Sequence, residues 1–215
     1  MMETKDTIGR AEAFVLAGGE SSRMGRDKAL LELGGVPLIA RAVKLCESVA
    51  SECTIIGGAQ AGSGSSGRFD GVASKVAADD FPGAGPLGGI ATALRLATRE
   101  WNLVVACDLP YLTRQWLDFL VQRAMQSDAD VVLPMNERGA EPLCAMYRKR
   151  AEGAIRAAVN EGTRKVTEGL TKIKVEFIEP REWKVFDSEG LLFKNMNSPA
   201  DYEEAKAQFA RRQTR

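Results

Sequence analysis

Apolar residues along this chain follow two alternating patterns, short continuous runs and longer stretches with helical spacing. The short runs are rich in β-branched residues and predict β-strands. They cover residues 12–17, 53–57, 73–78, 102–107, 130–134, 142–147 and 173–178. Because helical stretches separate most of these runs, we expect an α/β fold of three layers with a mostly parallel central sheet.

Three helical stretches carry a clear apolar stripe, around residues 38–49, 90–97 and 117–124. Thr113 is the predicted N-cap of the third stretch. Ser198 and Pro199 predict the N-cap and first position of a terminal helix that runs to about Gln208. Alternation weakens after residue 140, so the second half is expected to depart from simple β-α-β winding.

The chain length of 215 residues predicts one domain, which we place at residues 11–215 after a flexible N-terminus at residues 1–10. The glycine- and serine-rich segment 61–68 predicts a surface loop. No apolar run approaches the roughly 20 residues that a membrane span requires, so no membrane partner is expected.

Charge and residue usage exclude several classes of protein. Lys+Arg and Asp+Glu are equal at 29 each, so no basic field favours nucleic-acid binding. The chain has no histidine, which excludes Ser-His-Asp and Cys-His mechanisms. The four cysteines lack C-x-x-C spacing, which argues against a zinc or redox site and predicts reduced thiols in the cytoplasm.

The segment 14–28 is the strongest candidate for chemistry. An apolar run ends in Gly18 and Gly19, and a polar loop follows with Arg23 and Lys28. Glycines allow backbone N–H groups to approach phosphate oxygens, and the two cations balance phosphate charge. The loop matches neither the Walker A pattern nor the dinucleotide pattern G-x-G-x-x-G. The two glycines alone fit a generic turn equally well.

The same residues resemble a known family. Leu16-Ala-Gly-Gly-x-Ser-x-Arg-Met-Gly-x-Asp-Lys28 is similar to the signature of the molybdenum cofactor guanylyltransferases. Five further blocks follow in the family's order and span nearly the whole chain: Leu30-Leu31, Gly35-x-Pro37-Leu38, Gly85-Pro-Leu-x-Gly89, Cys107-Asp-x-Pro110 and Phe193-x-Asn-x-Asn-Ser-Pro-x-Asp201. The resemblance implies the Rossmann-like nucleotidyltransferase fold.

The resemblance also implies an activity, the transfer of GMP from GTP to the terminal phosphate of molybdopterin with release of pyrophosphate. Mg²⁺ is the implied cofactor. Other proteins of molybdenum cofactor biosynthesis or molybdoenzyme maturation are candidate partners. A phosphate monoester is largely ionised at neutral pH, since its second pKa is about 6. The nucleophile therefore needs no general base, which suits a chain without histidine.

Site residues carry over position by position. Arg23 and Lys28 are expected at the triphosphate, and Asp108 at Mg²⁺. Asp108 follows a buried-looking strand, where ligands of open α/β sheets bind, although a turn aspartate before a proline also fits. The implied nucleotide contacts are Leu16, Ala17, Gly18, Gly19, Lys28, Asp79 and Asp108.

The acceptor side is expected at Gly85, Asn195 and Asn197. Glycines at a helix N-terminus can present N–H groups to an anion, although a tight turn alone could also require them. Asn195 and Asn197 are two residues apart, which places both amides on one side of an extended segment. A polar capping region fits that spacing as well.

Two departures from the family pattern keep alternatives open. Gly57-Gly58 stand where the family has a nucleotide-contacting asparagine, and Glu141 stands where glutamine or histidine is usual. Gly18 lacks the methyl group of cytidylyl relatives, which leaves room for a purine and favours GTP over CTP. The alternatives are a transferase for CTP or sugar phosphates and a non-catalytic nucleotide-binding adaptor, which would release no pyrophosphate.

Overall fold

The computed structural model describes residues 11–18, 27–57, 69 and 71–213. Its strands within these residues are β1 (Ala11–Leu16), β2 (Glu32–Leu33), β3 (Val36–Pro37), β4 (Cys53–Ile56), β5 (Lys75–Ala77), β6 (Trp101–Ala106), β7 (Val131–Asn136), β8 (Gly139–Ala140), β9 (Cys144–Arg148) and β10 (Val175–Ile178). Its α-helices there are α1 (Leu38–Glu47), α2 (Gly85–Leu96), α3 (Arg114–Gln126), α4 (Glu152–Asn160), α5 (Val166–Gly169), α6 (Pro180–Trp183) and α7 (Pro199–Gln213).

The main sheet has the strand order β10-β7-β9-β6-β1-β4-β5, and β8 pairs with β7. Strands β6, β1, β4 and β5 run parallel to one another. Strand β9 is antiparallel to both of its neighbours, β6 and β7. The predicted mostly parallel α/β architecture is confirmed, and so is the expected departure from simple winding after residue 140.

Helices cover both faces of this sheet. All six residues of β1 are buried, which is the pattern of a parallel strand covered on both sides. Val15 packs into one apolar cluster with α1 and α3, whereas Phe14 packs into a second cluster with α2 and α4. The two clusters form the cores between the three layers.

A smaller apolar cluster joins the C-terminal helix to the start of the chain. Leu33 of the β2–β3 hairpin packs with Met196 and with Ala205 of α7. Arg41 of α1 donates from Nε to the Leu33 carbonyl at 3.0 Å, and its guanidinium lies 4.6 Å from the ring centroid of Phe209. These contacts hold α7 beside the segment that carries Lys28.

The structure differs from the predicted elements in several places. It contains β8, α4, α5 and α6, for which the sequence predicted no bounds, and α7 runs to Gln213 instead of about Gln208. The sixth predicted strand begins at Cys144 instead of 142, because Pro142 and Leu143 lie in a turn closed by a bond from the Cys144 N–H to the Glu141 carbonyl, 3.2 Å long. The β2–β3 hairpin was not predicted, although Gly34 and Gly35 supply the two positive φ angles that a tight hairpin turn requires.

Some predictions fall outside the described residues. These are the N-terminal segment 1–10, the loop 61–68, Gly19 and Arg23. Among the helices of the described part, none is long and apolar enough to cross a membrane.

Candidate active site

The candidate site lies at the edge of the sheet where the parallel strands end. Leu16 is in register with Ala106 of β6 and with Ile56 of β4, and Ile56 is in register with Ala77 of β5. The next residues after these four strand ends therefore meet at one edge. In open α/β sheets this edge is where ligands bind.

Hydrogen bonds extend the pairing past the strand ends. The Ala17 N–H donates to the Ile56 carbonyl at 2.9 Å, and the Cys107 N–H donates to the Leu16 carbonyl at 3.1 Å. Asp108 follows Cys107 directly and thus stands next to the residues after β1. The predicted positions Leu16, Ala17 and Asp108 are brought together in this way.

Lys28 provides the central contact of the site. Its ammonium lies 2.6 Å from Asp108 Oδ2 and 2.9 Å from Asn197 Oδ1. The Lys28 and Asp108 side chains are 18% and 21% exposed, so their ion pair is largely shielded from water yet can be reached by a ligand. Three predicted site residues from distant parts of the chain therefore share one cluster.

Local structure fixes the position of Lys28. The residue begins a short 3₁₀ turn, Lys28–Leu30, whose N-cap is Asp27. The Asp27 side chain accepts a bond from the Ala29 N–H at 3.1 Å. A capped turn at this point directs the chain from the glycine loop into the β2–β3 hairpin.

The two asparagines of the C-terminal segment have different surroundings. Asn197 contacts Lys28, whereas Asn195 is half-buried and makes no hydrogen bond to Lys28 or Asp108 in the described part of the chain. Between them, the Met196 N–H donates to the Asp108 carbonyl at 3.1 Å. The segment thus runs alongside Asp108, and Asn195 stays a prediction as an acceptor contact.

Asp79 has a structural role at the end of β5. Its Oδ1 accepts bonds from the Thr92 hydroxyl at 2.8 Å and from the Phe81 N–H at 2.9 Å. The neighbouring Asp80 is exposed and forms an ion pair with Arg95. These contacts tie the β5–α2 loop to α2, and the nucleotide contact expected at Asp79 stays a prediction.

The glycines at the start of α2 are explained largely by packing. A Cβ on Gly88 would lie 2.9 Å from the Phe81 carbonyl oxygen, and a Cβ on Gly89 would lie 3.3 Å from the Leu16 side chain. Gly85 begins the helix with a φ of 67° and is exposed. Of this block, Gly85 is therefore the position open to a ligand.

Gly18 and Gly57, which follow the neighbouring strands β1 and β4, have different surroundings. A Cβ on Gly18 would meet no described atom within 4 Å. Gly57 has a φ of 116°, and a Cβ there would lie 2.8 Å from the Gly18 nitrogen. The backbone after β4 thus approaches the backbone of Gly18 closely, which explains why position 57 is a glycine. Sequence reasoning noted Gly57 only as the absence of an asparagine.

Glu141 lies between β8 and β9, close enough to Asp108 for the two carboxyl groups to interact electrostatically. Asn136 of β7 donates to Glu141 Oε1, and the Glu141 N–H donates to the Pro134 carbonyl at 2.9 Å. Burial raises the pKa of the Glu141 carboxyl, and the nearby Asp108 carboxylate adds to the rise. The hydrogen bond from Asn136 and the charge of Arg138 oppose it. Sequence reasoning missed Asn136, whose partnership depends on the β7–β8 turn.

The donor set at Asp108 sets limits on a metal site. Within the described residues there is no cluster of three or more histidine, cysteine, aspartate or glutamate side chains that could hold a metal ion. Mg²⁺ is commonly bound through one or two carboxylates together with substrate phosphates. A single carboxylate at a ligand-binding edge fits a metal that is held jointly with a nucleotide.

The fold and the strand-end cluster fit an enzyme of the nucleotidyltransferase class. Residues 13–174 match the MobA-like NTP transferase domain, and the chain belongs to this family. The solved structure of molybdopterin-guanine dinucleotide biosynthesis protein A from Archaeoglobus fulgidus superimposes with a TM-score of 0.81 at 25% identity. That match covers 93% of this chain and 99% of that one.

Curated relatives extend over nearly the same span. A probable molybdenum cofactor guanylyltransferase from Carboxydothermus hydrogenoformans is 36% identical over 191 residues, 88% of this chain and 91% of the relative. One from Clostridium perfringens is 31% identical over 91% of this chain and 96% of its own. A cytidylyltransferase structure from Thermus thermophilus, at 16% identity and a TM-score of 0.64 over 92% of this chain and 98% of that one, shares the fold alone.

Proposed function

We propose that this protein is a molybdenum cofactor guanylyltransferase, which transfers GMP from GTP to the terminal phosphate of molybdopterin and releases pyrophosphate. Relatives of that name align with about nine tenths of the chain. The observation that carries the proposal is the Lys28 ammonium held between Asp108 and Asn197 at the carboxyl edge of the sheet. A cation, a carboxylate and an amide at this edge suit a charged phosphate substrate.

The triphosphate is assigned to the β1 side of the edge. Lys28 supplies a compact positive charge there, and Arg23 and the N–H groups of Gly18 and Gly19 are proposed as further phosphate contacts. Among the described residues, no atom lies within 4 Å of a Cβ placed on Gly18, which supports placing the base next to this residue. Asp79, at the end of β5, is proposed as an additional nucleotide contact.

Asp108 is proposed to hold a divalent metal together with the nucleotide phosphates. Nucleotidyltransferases of this family generally use a divalent metal, and Mg²⁺ is the ion that we propose. When bound, such an ion supplies charge neutralisation at the phosphates. The Lys28 ammonium, 2.6 Å from Asp108 Oδ2, competes with such an ion for the same carboxylate.

The reaction needs alignment and charge neutralisation more than proton transfer. An oxygen of the molybdopterin phosphate forms a bond to the α-phosphorus of GTP, and the bond from that phosphorus to the α–β bridging oxygen breaks. The attacking phosphate is already largely ionised at neutral pH, because its second pKa is about 6. Lys28 and Arg23 are therefore assigned to orienting the triphosphate and balancing the charge that develops on pyrophosphate.

The acceptor is assigned to the side of Asp108 where the C-terminal segment lies. Asn197, Asn195 and Gly85 are the proposed contacts, and Asn197 is the one that already touches the cluster. Other proteins of molybdenum cofactor biosynthesis or molybdoenzyme maturation are proposed partners, and the cytoplasm is the proposed compartment.

Pyrophosphate release tests the proposal. We expect pyrophosphate release only when GTP, Mg²⁺ and molybdopterin are all present. In Asp108→Asn, the rate of release should fall by at least about a hundredfold. Asp118→Asn is the matched control, because Asp118 is shielded to a similar degree, with 16% of its side chain exposed, and pairs with Arg114 of the same helix, α3. Nucleotide binding without any pyrophosphate release by the wild type would refute the enzyme and support an adaptor.

A further inference from the structure

The C-terminal segment contacts Lys28 through the side chain of Asn197. This residue is exposed and lies two positions before α7. Its amide oxygen accepts a bond from the Lys28 ammonium. The position of Asn197 therefore affects a contact that holds Lys28. The backbone at Asn197 is in turn held by a neighbouring side chain.

Asp201, in the first turn of α7, fixes that backbone. Its Oδ2 accepts three hydrogen bonds, from the Asn197 N–H at 3.0 Å, the Ser198 N–H at 2.8 Å and the Ser198 hydroxyl at 2.8 Å. Its own N–H donates back to Ser198 Oγ at 3.2 Å. The same bonds, that of the Ser198 hydroxyl foremost and then that of the Asn197 N–H, lower the pKa of the Asp201 carboxyl.

Helix capping accounts for only part of this arrangement. In a capping box, the N-cap hydroxyl and the side chain three positions later satisfy each other's backbone N–H groups. Ser198 and Asp201 make both of those bonds. The bond to the Asn197 N–H lies one residue outside the helix cap and is not needed to start the helix. Its effect is to hold Asn197 against Lys28.

We propose that Asp201 is a positioning residue, which acts through Asn197 to hold Lys28 in place for the nucleotide. The residue touches none of the reacting groups. The α7 end of this connection is anchored, because the Tyr202 hydroxyl donates to the Glu32 carbonyl at 2.9 Å and Lys194 pairs with Glu204 at 2.6 Å. The nucleotide part of the proposal rests on the proposed function, whereas the link from Asp201 to Lys28 does not.

Two variants of the same cap separate positioning from capping. Asp201→Ala removes every bond to the carboxylate. Ser198→Ala removes the capping hydroxyl but leaves the bond between Asp201 and the Asn197 N–H. If Asp201 acted only as a cap, both variants would lower stability and leave Lys28 unaffected. If the accessibility of Lys28 changes in Asp201→Ala but not in Ser198→Ala, Asp201 acts as a positioning residue.

The first readout is chemical labelling of Lys28 by a limiting amine-acetylating reagent, measured by mass spectrometry on the ligand-free protein. We expect faster labelling of Lys28 in Asp201→Ala and an unchanged rate in Ser198→Ala. In the background of Asn197→Ala, Asp201→Ala should have no further effect, because residues that act through one contact are not additive. Equal rates of Lys28 labelling in Asp201→Ala and Ser198→Ala would overturn the proposal. So would an effect of Asp201→Ala that stays as large in the Asn197→Ala background.

The second readout is the dissociation constant of GTP with Mg²⁺, measured by calorimetry. We expect a rise of roughly fivefold in Asp201→Ala, about the net effect of one hydrogen bond, and no change in Ser198→Ala. A changed labelling rate in a protein whose wild type does not bind GTP would refute the proposed function and leave the positioning link supported. Unchanged labelling of Lys28 in a protein that binds GTP would refute the positioning link and leave the proposed function supported.

Discussion

Lys28 has two roles at the scale of single residues, an observed ion pair with Asp108 and a proposed contact with the nucleotide. Its ammonium lies 2.6 Å from Asp108 Oδ2 and balances the charge of that carboxylate. With nucleotide, the same charge is proposed to serve the triphosphate. The two roles predict effects of opposite sign for one substitution, which is a stronger test than loss of activity.

Lys28→Ala should strengthen the binding of Mg²⁺ alone, because it frees the Asp108 carboxylate from a competing cation. The same variant should weaken GTP binding by about tenfold or more, since a charge-assisted contact is lost. Calorimetric titrations with each ligand measure both effects, and Lys44→Ala, on the exposed side of α1, is the control. Weaker binding of both ligands would contradict the shared use of Asp108.

Glu141 gives a prediction for stability against pH. Burial raises the pKa of its carboxyl in the folded protein, so the folded state favours the protonated form. Its contribution to stability is therefore complete below the unfolded pKa, about 4.3, and is lost as the pH rises through the higher folded pKa.

Glu141→Gln keeps an acceptor for Asn136 and removes the buried charge. We expect a higher free energy of unfolding than wild type near neutral pH and a difference that shrinks towards pH 4. Urea unfolding across this range measures it. Glu137→Gln, at an exposed position of the β7–β8 turn, is the control and should show no such trend. A difference that grows towards acid pH would contradict the assignment.

At the scale of elements, the site depends on how closely the strand ends approach one another. Gly57 and Gly18 come from neighbouring strands, and only Gly57 is crowded by the other's backbone. The sequence predicted the parallel strands and the loop after β1. It could not predict this approach, because the distance between two backbones depends on strand register and not on either segment alone.

Gly57→Ala should destabilise the fold by about 2–4 kcal/mol, from a strained positive φ and a contact with the Gly18 nitrogen. Gly18→Ala should change stability by less than about 0.5 kcal/mol, since no described atom lies within 4 Å of the added methyl. Urea denaturation compares the two. Equal destabilisation would show that the strand ends do not approach as described.

The anchoring of α7 is a second property of elements. Arg41 bonds the Leu33 carbonyl and lies over Phe209, so it connects α1, the hairpin and α7. Arg41→Ala should cost about 1–3 kcal/mol and speed hydrogen exchange along α7. Lys206→Ala removes an exposed pair with Glu203 and should cost less than about 1 kcal/mol. Exchange in α7 that is the same in both variants would contradict the anchoring role.

At the scale of the whole molecule, the site is assembled from both ends of the chain. Lys28 and Asp108 are 80 residues apart, and Lys28 and Asn197 are 169 residues apart. The sequence predicted Lys28 in the loop after the first strand, Asp108 directly after a buried strand and Asn197 just before the terminal helix. It also predicted the α7 cap at Ser198. The contact between Lys28 and Asn197 was not predictable, because it depends on α7 packing against the β2–β3 hairpin. The antiparallel direction of β9 was not predictable for the same reason, because its pairing with β6 and β7 depends on tertiary structure.

The chain has equal numbers of basic and acidic residues, so the positive charge at the site is a local feature. With 29 basic and 29 acidic residues, no overall field attracts a polyanion, so recognition has to come from the cluster at the strand ends. The central claim is that this cluster transfers a guanylyl group. In the most direct measurement, the protein is given molybdopterin with equal concentrations of GTP and CTP. The dinucleotide product is then identified by mass spectrometry. We predict the guanine dinucleotide, in an amount equal to the pyrophosphate released; the cytosine dinucleotide as the main product, or no dinucleotide at all, would contradict the claim.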